Sequence, residues 1–250
     1  MRTCLDTDQA VLLQGEALSV LSTLPSESVD AVITDPPYSS GGAFRGDRMA
    51  APSVKYQNTD TVKSYGQEFS GDNRDQRSFL FWCSLWLSEC LRVAKPGAVI
   101  GVFSDWRQLP TVCDAVQAGG WVWRGIAAWD KTEGVRPYLG RFRAQCEFLA
   151  WGTKGARPAM PEIGALPGVF RACSKSSAKF HLCGKPVPVM REIVRVAPRG
   201  GVVLDPFAGS ASTGVAALLE GRSFIGIELL EGNCAVSERR LREAEAQAQA

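Results

Sequence analysis

Four residues with chemical potential, Asp35-Pro36-Pro37-Tyr38, close a short apolar run, Val29-Asp30-Ala31-Val32-Ile33. The run is β-branched and bounded by Pro25 and Ser26 before it and by two prolines after it, so it reads as a buried strand. Each proline locks φ and removes a backbone donor. Their carbonyls are left as rigid acceptors beside the Asp35 carboxylate, and Tyr38 adds a flat face. Such a group suits a planar ligand carrying an NH2, held by two hydrogen bonds and one stack. A strand, a Pro-Pro turn and a solvated aspartate would look the same over four residues alone.

A second constellation lies near the other end of the chain. Val202 to Leu204 is apolar and leads into Asp205-Pro206-Phe207-Ala208-Gly209-Ser210-Ala211. Gly209 lets the backbone approach a ligand closely. A helix beginning near Ser210 would offer free N–H groups and a partial positive end. Glu228 ends the next apolar run and is placed to accept from ribose hydroxyls. The arrangement fits a nucleoside. The pyrophosphate fingerprint GxGxxG is incomplete, which argues against a dinucleotide.

The elements that must position these residues follow from period and punctuation. Strands are expected at 10–13, 29–33, 98–103, 121–129, 146–151, 202–204 and 224–227. Helices are expected at 17–24, 77–94, 106–117, 186–197, from near 210 to 220, and from 231 to about 244. The helix over 77–94 carries Phe79, Trp82, Leu85, Trp86 and Val93 on or near one face, and Lys95-Pro96-Gly97 stops it. Residues 39–73 and 152–180 are rich in Gly, Ser, Pro and charge, without a sustained apolar period, and read as loops. The first follows Tyr38 directly and would sit over it as a lid or binding loop. Strands alternating with helices imply an α/β fold, a doubly wound, mostly parallel sheet in a single domain over residues 1–250. Ligands bind such sheets at the carboxyl ends of the strands. That rule sets Asp35, Asp205 and Glu228 along one rim.

Composition narrows the class. The chain has 250 residues, 45% hydrophobic and 22% charged, with a net charge of +2. No apolar run approaches membrane-spanning length. Residues 1–9 lack the cationic-then-apolar pattern of a secretory signal. None of the eight cysteines forms a CxxC pair, and His181 is the only histidine. A disulfide frame and a histidine-based metal site are therefore not expected, and a reducing cytoplasm suits the thiols. Residues 121–185 hold 11 Lys or Arg against 4 Asp or Glu, a basic block suited to a polyanion.

Taken in order, the motifs resemble the amino-methylating DNA methyltransferases, the N6-adenine and N4-cytosine enzymes, in their circularly permuted subgroup. The resemblance rests on Thr34-Asp35-Pro36-Pro37-Tyr38, the segment from Leu91 to Gly97, Trp129-Asp130-Lys131, Glu147 to Lys154, His181 to Pro186, Val202 to Thr213 and Gly226-Ile227-Glu228. With Trp106 to Pro110 added, the chain is similar to phage- or prophage-type site-specific enzymes, which implies a bacterial or host cytoplasm. The resemblance implies a Rossmann-like fold, S-adenosyl-L-methionine as cofactor, DNA as partner, no metal, and a monomer or homodimer.

It also implies residue roles. Asp35, Pro36, Pro37 and Tyr38 would hold and stack the target base, with Trp129 as a second face. Asp205, Phe207, Gly209, Ser210 and Glu228 would bind the cofactor, and Glu16 after Gly15 would contact its adenine. His181 and Lys185 would close over its methionine end. Lys131, Arg136, Arg141 and Arg143, with the inserts 39–73 and 152–180, would contact DNA. Ala211 stands where the family usually has a glycine, and its methyl group would crowd the cofactor. The first motif residue is Asp, whereas the cytosine enzymes more often open with Ser, so N6-adenine is the expected target and N4-cytosine the alternative. An RNA or protein amide methyltransferase and an inactive nucleic-acid-binding relative are the readings from other classes.

Overall fold

The computed structural model describes residues 1–38, 74–135, 137, 139–173 and 184–249. Among the described residues nine strands form one sheet: β1 (Arg2–Asp6), β2 (Ala10–Gln14), β3 (Val29–Thr34), β4 (Ala94–Ser104), β5 (Val122–Asp130), β6 (Cys146–Thr153), β7 (Val169–Arg171), β8 (Val202–Asp205) and β9 (Ser223–Glu228). The helices are α1 (Ala17–Leu21), α2 (Gln76–Val93), α3 (Leu109–Ala118), α4 (Val187–Val194), α5 (Ser212–Leu219) and α6 (Glu231–Gln249). The strand order is β1-β2-β9-β8-β3-β4-β6-β5-β7. Strands β2, β9, β8, β3 and β4 run parallel, as does the short β5–β7 pair. Strands β1 and β6 run antiparallel to their neighbours.

The sheet alternates its side chains between two cores. Leu12, Ala31, Ile33 and Val203 face one cluster, which α4, α5 and α6 cover. Leu13, Val32, Ile100 and Leu204 face the other, which α1, α2 and α3 cover. A period of two in the strands makes this split, and both faces are apolar because both are covered. In α2 the buried residues are Phe79, Cys83, Trp86, Leu87, Cys90 and Val93, the spacing of one helical stripe. Leu85, expected on that stripe, is instead exposed, and Trp82 is only partly buried. Fully burying a side chain such as Phe79 or Leu87 stabilises by about 1.5–3 kcal/mol each.

Several elements differ from the sequence expectation. β1 was not expected; it pairs along β2 and covers that edge of the sheet. β7 lies inside the stretch expected to be only loop. Lys95-Pro96-Gly97 does not separate α2 from β4 but forms a bulge within the strand, where the register on β3 jumps from Val29–Ala94 to Ala31–Val99. Gly97 has φ +77° there, and its N–H donates to Lys154 O at 2.9 Å. Lys95 Nζ meets Asp30 at 2.8 Å across the same bulge. Helix α6 also runs five residues beyond its expected end near 244.

The chain order places the site. The helix after β3 lies on one face of the sheet, and the helix after β8 on the other. Strands β3 and β8 are neighbours, so the crossovers diverge between them. That gap at the carboxyl ends is the topological switch point of the sheet.

Candidate active site

Asp35 leaves the end of β3 with both carboxylate oxygens engaged. The Tyr38 hydroxyl donates to Oδ1, and the Lys185 ammonium donates to Oδ2. Lys185 Nζ also lies 3.1 Å from the Tyr38 hydroxyl and 3.1 Å from Glu147 Oε2. The other oxygen of Glu147 accepts from Lys131 Nζ at 3.1 Å. Two acids and two cations thus alternate from the end of β3, across Lys185 just before α4, to Glu147 in β6 and Lys131 after β5. The side chain of Lys185 is only 7% exposed, and its ammonium sits 5.0 Å from the Phe103 ring centre and 5.5 Å from that of Tyr38. Aromatic faces favour a cation at that range.

The electrostatics follow from burial and charge order. Burial pushes the Asp35 carboxyl up from its ordinary value; Lys185 pulls it back, and Glu147 adds to the rise. Burial works against the Lys185 charge, but Asp35 and Glu147 outweigh it and hold that ammonium above the usual lysine range. Burial also opposes ionisation of Glu147, yet the two lysines win and its carboxyl titrates below its ordinary value. Tyr38 is raised well above a normal phenol by burial and by the adjacent acids, so it remains a donor. Removing one member of such a set would leave a buried charge unpaired, at a cost of about 3–5 kcal/mol.

The nucleoside end is held differently. Asp205 ends β8, and Oδ1 accepts from the Thr34 hydroxyl at 2.7 Å and from Phe207 N at 3.0 Å. Its Oδ2 accepts from the Thr213 hydroxyl at 2.7 Å. Burial pushes this carboxyl up to about 6, against the pull of the two hydroxyls. The Thr34 bond ties the end of β3 to the end of β8 across the switch point. Glu228 ends β9 and accepts from Gly209 N at 2.9 Å, Leu230 N at 2.8 Å and Asn233 Nδ2 at 3.2 Å. Burial raises its pKa as well. Beside it, Asn233 Oδ1 is a buried acceptor without a partner among the described residues. Gly209 has φ +53°, and a Cβ there would meet only Phe207 O at 3.9 Å, so the loop is open above it. Spare acceptors at Glu228 and Asn233 beside an open glycine fit the hydroxyls of a nucleoside.

The remaining expected residues fall into place unevenly. Phe207 packs on Trp82 and Trp86 with ring centres 5.4 and 5.2 Å away. Glu16 caps α1, accepting from Leu18 N at 3.1 Å and Ser19 N at 2.8 Å, at the carboxyl end of β2. Ser210 turns inward, and its hydroxyl accepts from Arg240 at 3.0 Å. The helix expected near Ser210 starts at Ser212. Ala211 has φ +57° and is fully buried in the core, so its methyl group does not face an open loop. The conformation of the turn, rather than space for a ligand, is what favours glycine at this position. Trp129 is likewise a core residue, 3% exposed, donating to Ala172 O at 2.9 Å, and offers no second face to a base. Lys131 is turned towards Glu147, whereas Arg141 and Arg143 are exposed. His181, Arg136 and the insert 39–73 lie outside the described residues. Among the described residues no three His, Cys, Asp or Glu side chains form a metal-binding group, and no helix is long and apolar enough to cross a membrane.

The sequence assigned no role to Glu147, Thr34, Thr213 or Asn233, although the first three stand within its motifs. Glu147 carried a weak signal, an acid at the head of an apolar strand. Thr34 meets its partner Asp205 only across 171 positions, whereas Thr213 and Asn233 act on acids eight and five residues away through turns that the residue types alone do not specify.

A sequence model of the DNA methylase family, N6_N4_Mtase, matches residues 29–239. The chain belongs to this family. S-adenosylmethionine-dependent methylation of DNA is the family's activity. YubD of Escherichia coli K12, described as a methylase, is 33% identical over 92% of this chain and 88% of its own length. The type II methyltransferase M.HinfI of Haemophilus influenzae is 26% identical over 93% of this chain and 68% of its own. Among solved structures, the M1.HpyAVI–SAM complex aligns with a TM-score of 0.66 at 21% identity, covering 93% of this chain and 98% of that one. The cytosine-N4-specific PvuII DNA methyltransferase aligns with a TM-score of 0.69 at 17% identity, covering 99% and 95%. These two likenesses concern the fold alone.

Proposed function

We propose that this methylase acts on the N6 amine of adenine in DNA, with Asp35, Pro36, Pro37 and Tyr38 at the acceptor and S-adenosyl-L-methionine as donor. The observation that carries the reading is the placement of Asp35 at the switch point, one residue beyond the Thr34–Asp205 bond that joins the two halves of the rim. Glu228, Asn233 and Gly209 would hold the cofactor's ribose, and Phe207 and Glu16 would flank its nucleoside. Asp205 and Ser210 would keep the loop in shape rather than touch the ligand. His181 and Lys185 remain the candidates for its methionine end. Bound there, the cofactor supplies a methyl group activated by sulfonium.

The chain's own residues do the rest by positioning. An exocyclic amine conjugated to a ring is a poor nucleophile, and in a duplex its proton is paired. Extruding the base costs roughly a few kcal/mol. The Asp35 carboxylate and the Pro36 carbonyl accept from the NH2 and draw its lone pair out of conjugation. Lys185 pairs with Asp35 and favours its ionised form, and Glu147 helps to hold the Lys185 ammonium in place. Little acid catalysis is needed, so orientation and exclusion of water carry the rate. A carboxylate accepts more strongly than the serine hydroxyl common in the cytosine enzymes, which supports adenine.

Other parts of the reading rest on the same base. Arg136, Arg141 and Arg143, with the segment 152–180, are the candidate phosphate contacts, whereas Lys131 serves the site. The acceptor motif precedes the cofactor loop in the chain, which is the circularly permuted order. The segment from Trp106 to Pro110 supports a phage- or prophage-type enzyme working in the cytoplasm. Mass spectrometry of nucleosides from DNA incubated with protein and cofactor tests the substrate. N6-methyladenine is expected, and N4-methylcytosine in its place would reverse the choice of base.

A further inference from the structure

Leu139 and Phe142 are the most exposed large apolar residues among those described, at 100% and 102% of a free side chain. They flank a turn at Gly140, where φ is +70° and no atom lies within 4 Å of a would-be Cβ. An aromatic ring that packs against nothing gains no burial, so the chain itself gives it no structural use. The stem beneath it is well braced. Lys131 N donates to Gln145 O at 2.9 Å, and Gln145 Nε2 and Thr132 N donate to Asp130 Oδ1 at 2.7 and 2.8 Å. Higher up, Arg143 donates to Glu133 O at 2.7 Å. The stem also belongs to the site, because Lys131 contacts Glu147, Glu147 contacts Lys185, and Lys185 contacts Asp35.

We propose that Phe142, seconded by Leu139, is the wedge that enters the DNA stack when the target nucleotide is extruded. The inference rests on the DNA amine methylation argued above. Phe142 is three positions from Gln145, so its Cα stands within about 11 Å of that braced stem, which reaches Asp35 through Lys131, Glu147 and Lys185. Arg141 and Arg143 bracket it in the chain, and both are exposed. A ring between two guanidinium groups matches a duplex, which presents a stack of flat faces between two lines of phosphates. Extrusion leaves a gap between neighbouring base pairs, and an apolar side chain fills that gap where water would not.

The test uses the full-length protein and a synthetic duplex carrying the sequence found methylated in cells. With 2-aminopurine at the target position, wild-type protein should raise its fluorescence, and Phe142→Ala should lose most of that rise. Methyl transfer from labelled S-adenosylmethionine to the paired duplex should fall roughly tenfold or more in Phe142→Ala. It should recover towards wild type when the target faces an abasic site, where no pairing need be broken. Phe142→Trp should retain activity on the paired duplex. Equal rates for Phe142→Ala and wild type on the paired duplex would overturn the wedge. So would an equal loss on both substrates, which marks general binding. Wild-type protein that methylates neither duplex would instead remove the functional reading, and the wedge with it.

Discussion

Carboxylates stand on both sides of the switch point, but they are held by opposite means. On the acceptor side, Asp35 and Glu147 are held by lysine ammonium groups on flexible stems. On the nucleoside side, Asp205 and Glu228 are held by hydroxyls, an amide and backbone N–H groups. Neutral donors fixed by the fold leave the charge of an acid uncancelled, so burial raises both Asp205 and Glu228. Two lysine cations lower Glu147, whereas at Asp35 the single Lys185 only partly offsets burial and the carboxyl stays raised. The nucleoside side is thus a preset shape. The acceptor side is a charge-balanced chain of two acids and two lysines.

The sharpest way to break this comparison is to remove the acid at the acceptor. Asp35→Ala should lower methyl transfer by on the order of 10²–10³-fold, the loss expected for one oriented acceptor at the reacting atom. Cofactor affinity by calorimetry should change less than about twofold, because the nucleoside side is built without Asp35. A matching loss of cofactor affinity would mean that the two sides are one unit.

Glu228→Gln probes the preset side. The amide places an N–H against donors already aimed at the carboxylate from Gly209, Leu230 and Asn233. Unsatisfied buried donors cost about 1–3 kcal/mol, so cofactor binding should weaken roughly tenfold or more. The rate at saturating cofactor should stay within a few-fold. A fall in rate with unchanged affinity would place the cofactor elsewhere.

Glu147→Gln gives the smallest change in rate and the clearest in pH. Activity needs Asp35 ionised and is lost as pH falls through its pKa. The Glu147 charge helps to raise that pKa, so removing it should move the acid limb of the rate profile to lower pH. Stability should respond in the opposite sense. Glu147 titrates below its ordinary value, so its ion pairs stabilise the fold above the unfolded pKa and fail as pH falls through the folded one. The variant should melt lower than wild type near pH 7, and the gap should close in acid. An unmoved acid limb would detach Glu147 from Asp35.

Much of the site was legible because its signals are local. The Asp-Pro-Pro-Tyr and Asp-Pro-Phe-Ala-Gly runs each end an apolar strand, and strand ends are where such sheets bind ligands. Lys185 was legible as a site residue but not in its partners, since it reaches Asp35 across 150 positions. Trp129 shows the reverse error. An aromatic beside a basic loop suggests a stacking face, yet its neighbours in β6 and β7 bury it.

Sequence by itself determined seven of the nine described strands, the six described helices and the residues that stand at the ends of those strands. These depend on period, on proline and glycine punctuation, and on neighbours a few positions away. Tertiary structure alone decided that β6 inserts antiparallel between β4 and β5, bringing Glu147 beside Lys185. It alone set Ala211 at positive φ, where the N–H donates to Ala208 O and the next helix turn is closed. Strand order and ion-pair partners depend on how separate apolar faces are buried together. An acid at a strand end looks alike in sequence whether it meets water, a hydroxyl or a lysine from the far end of the chain.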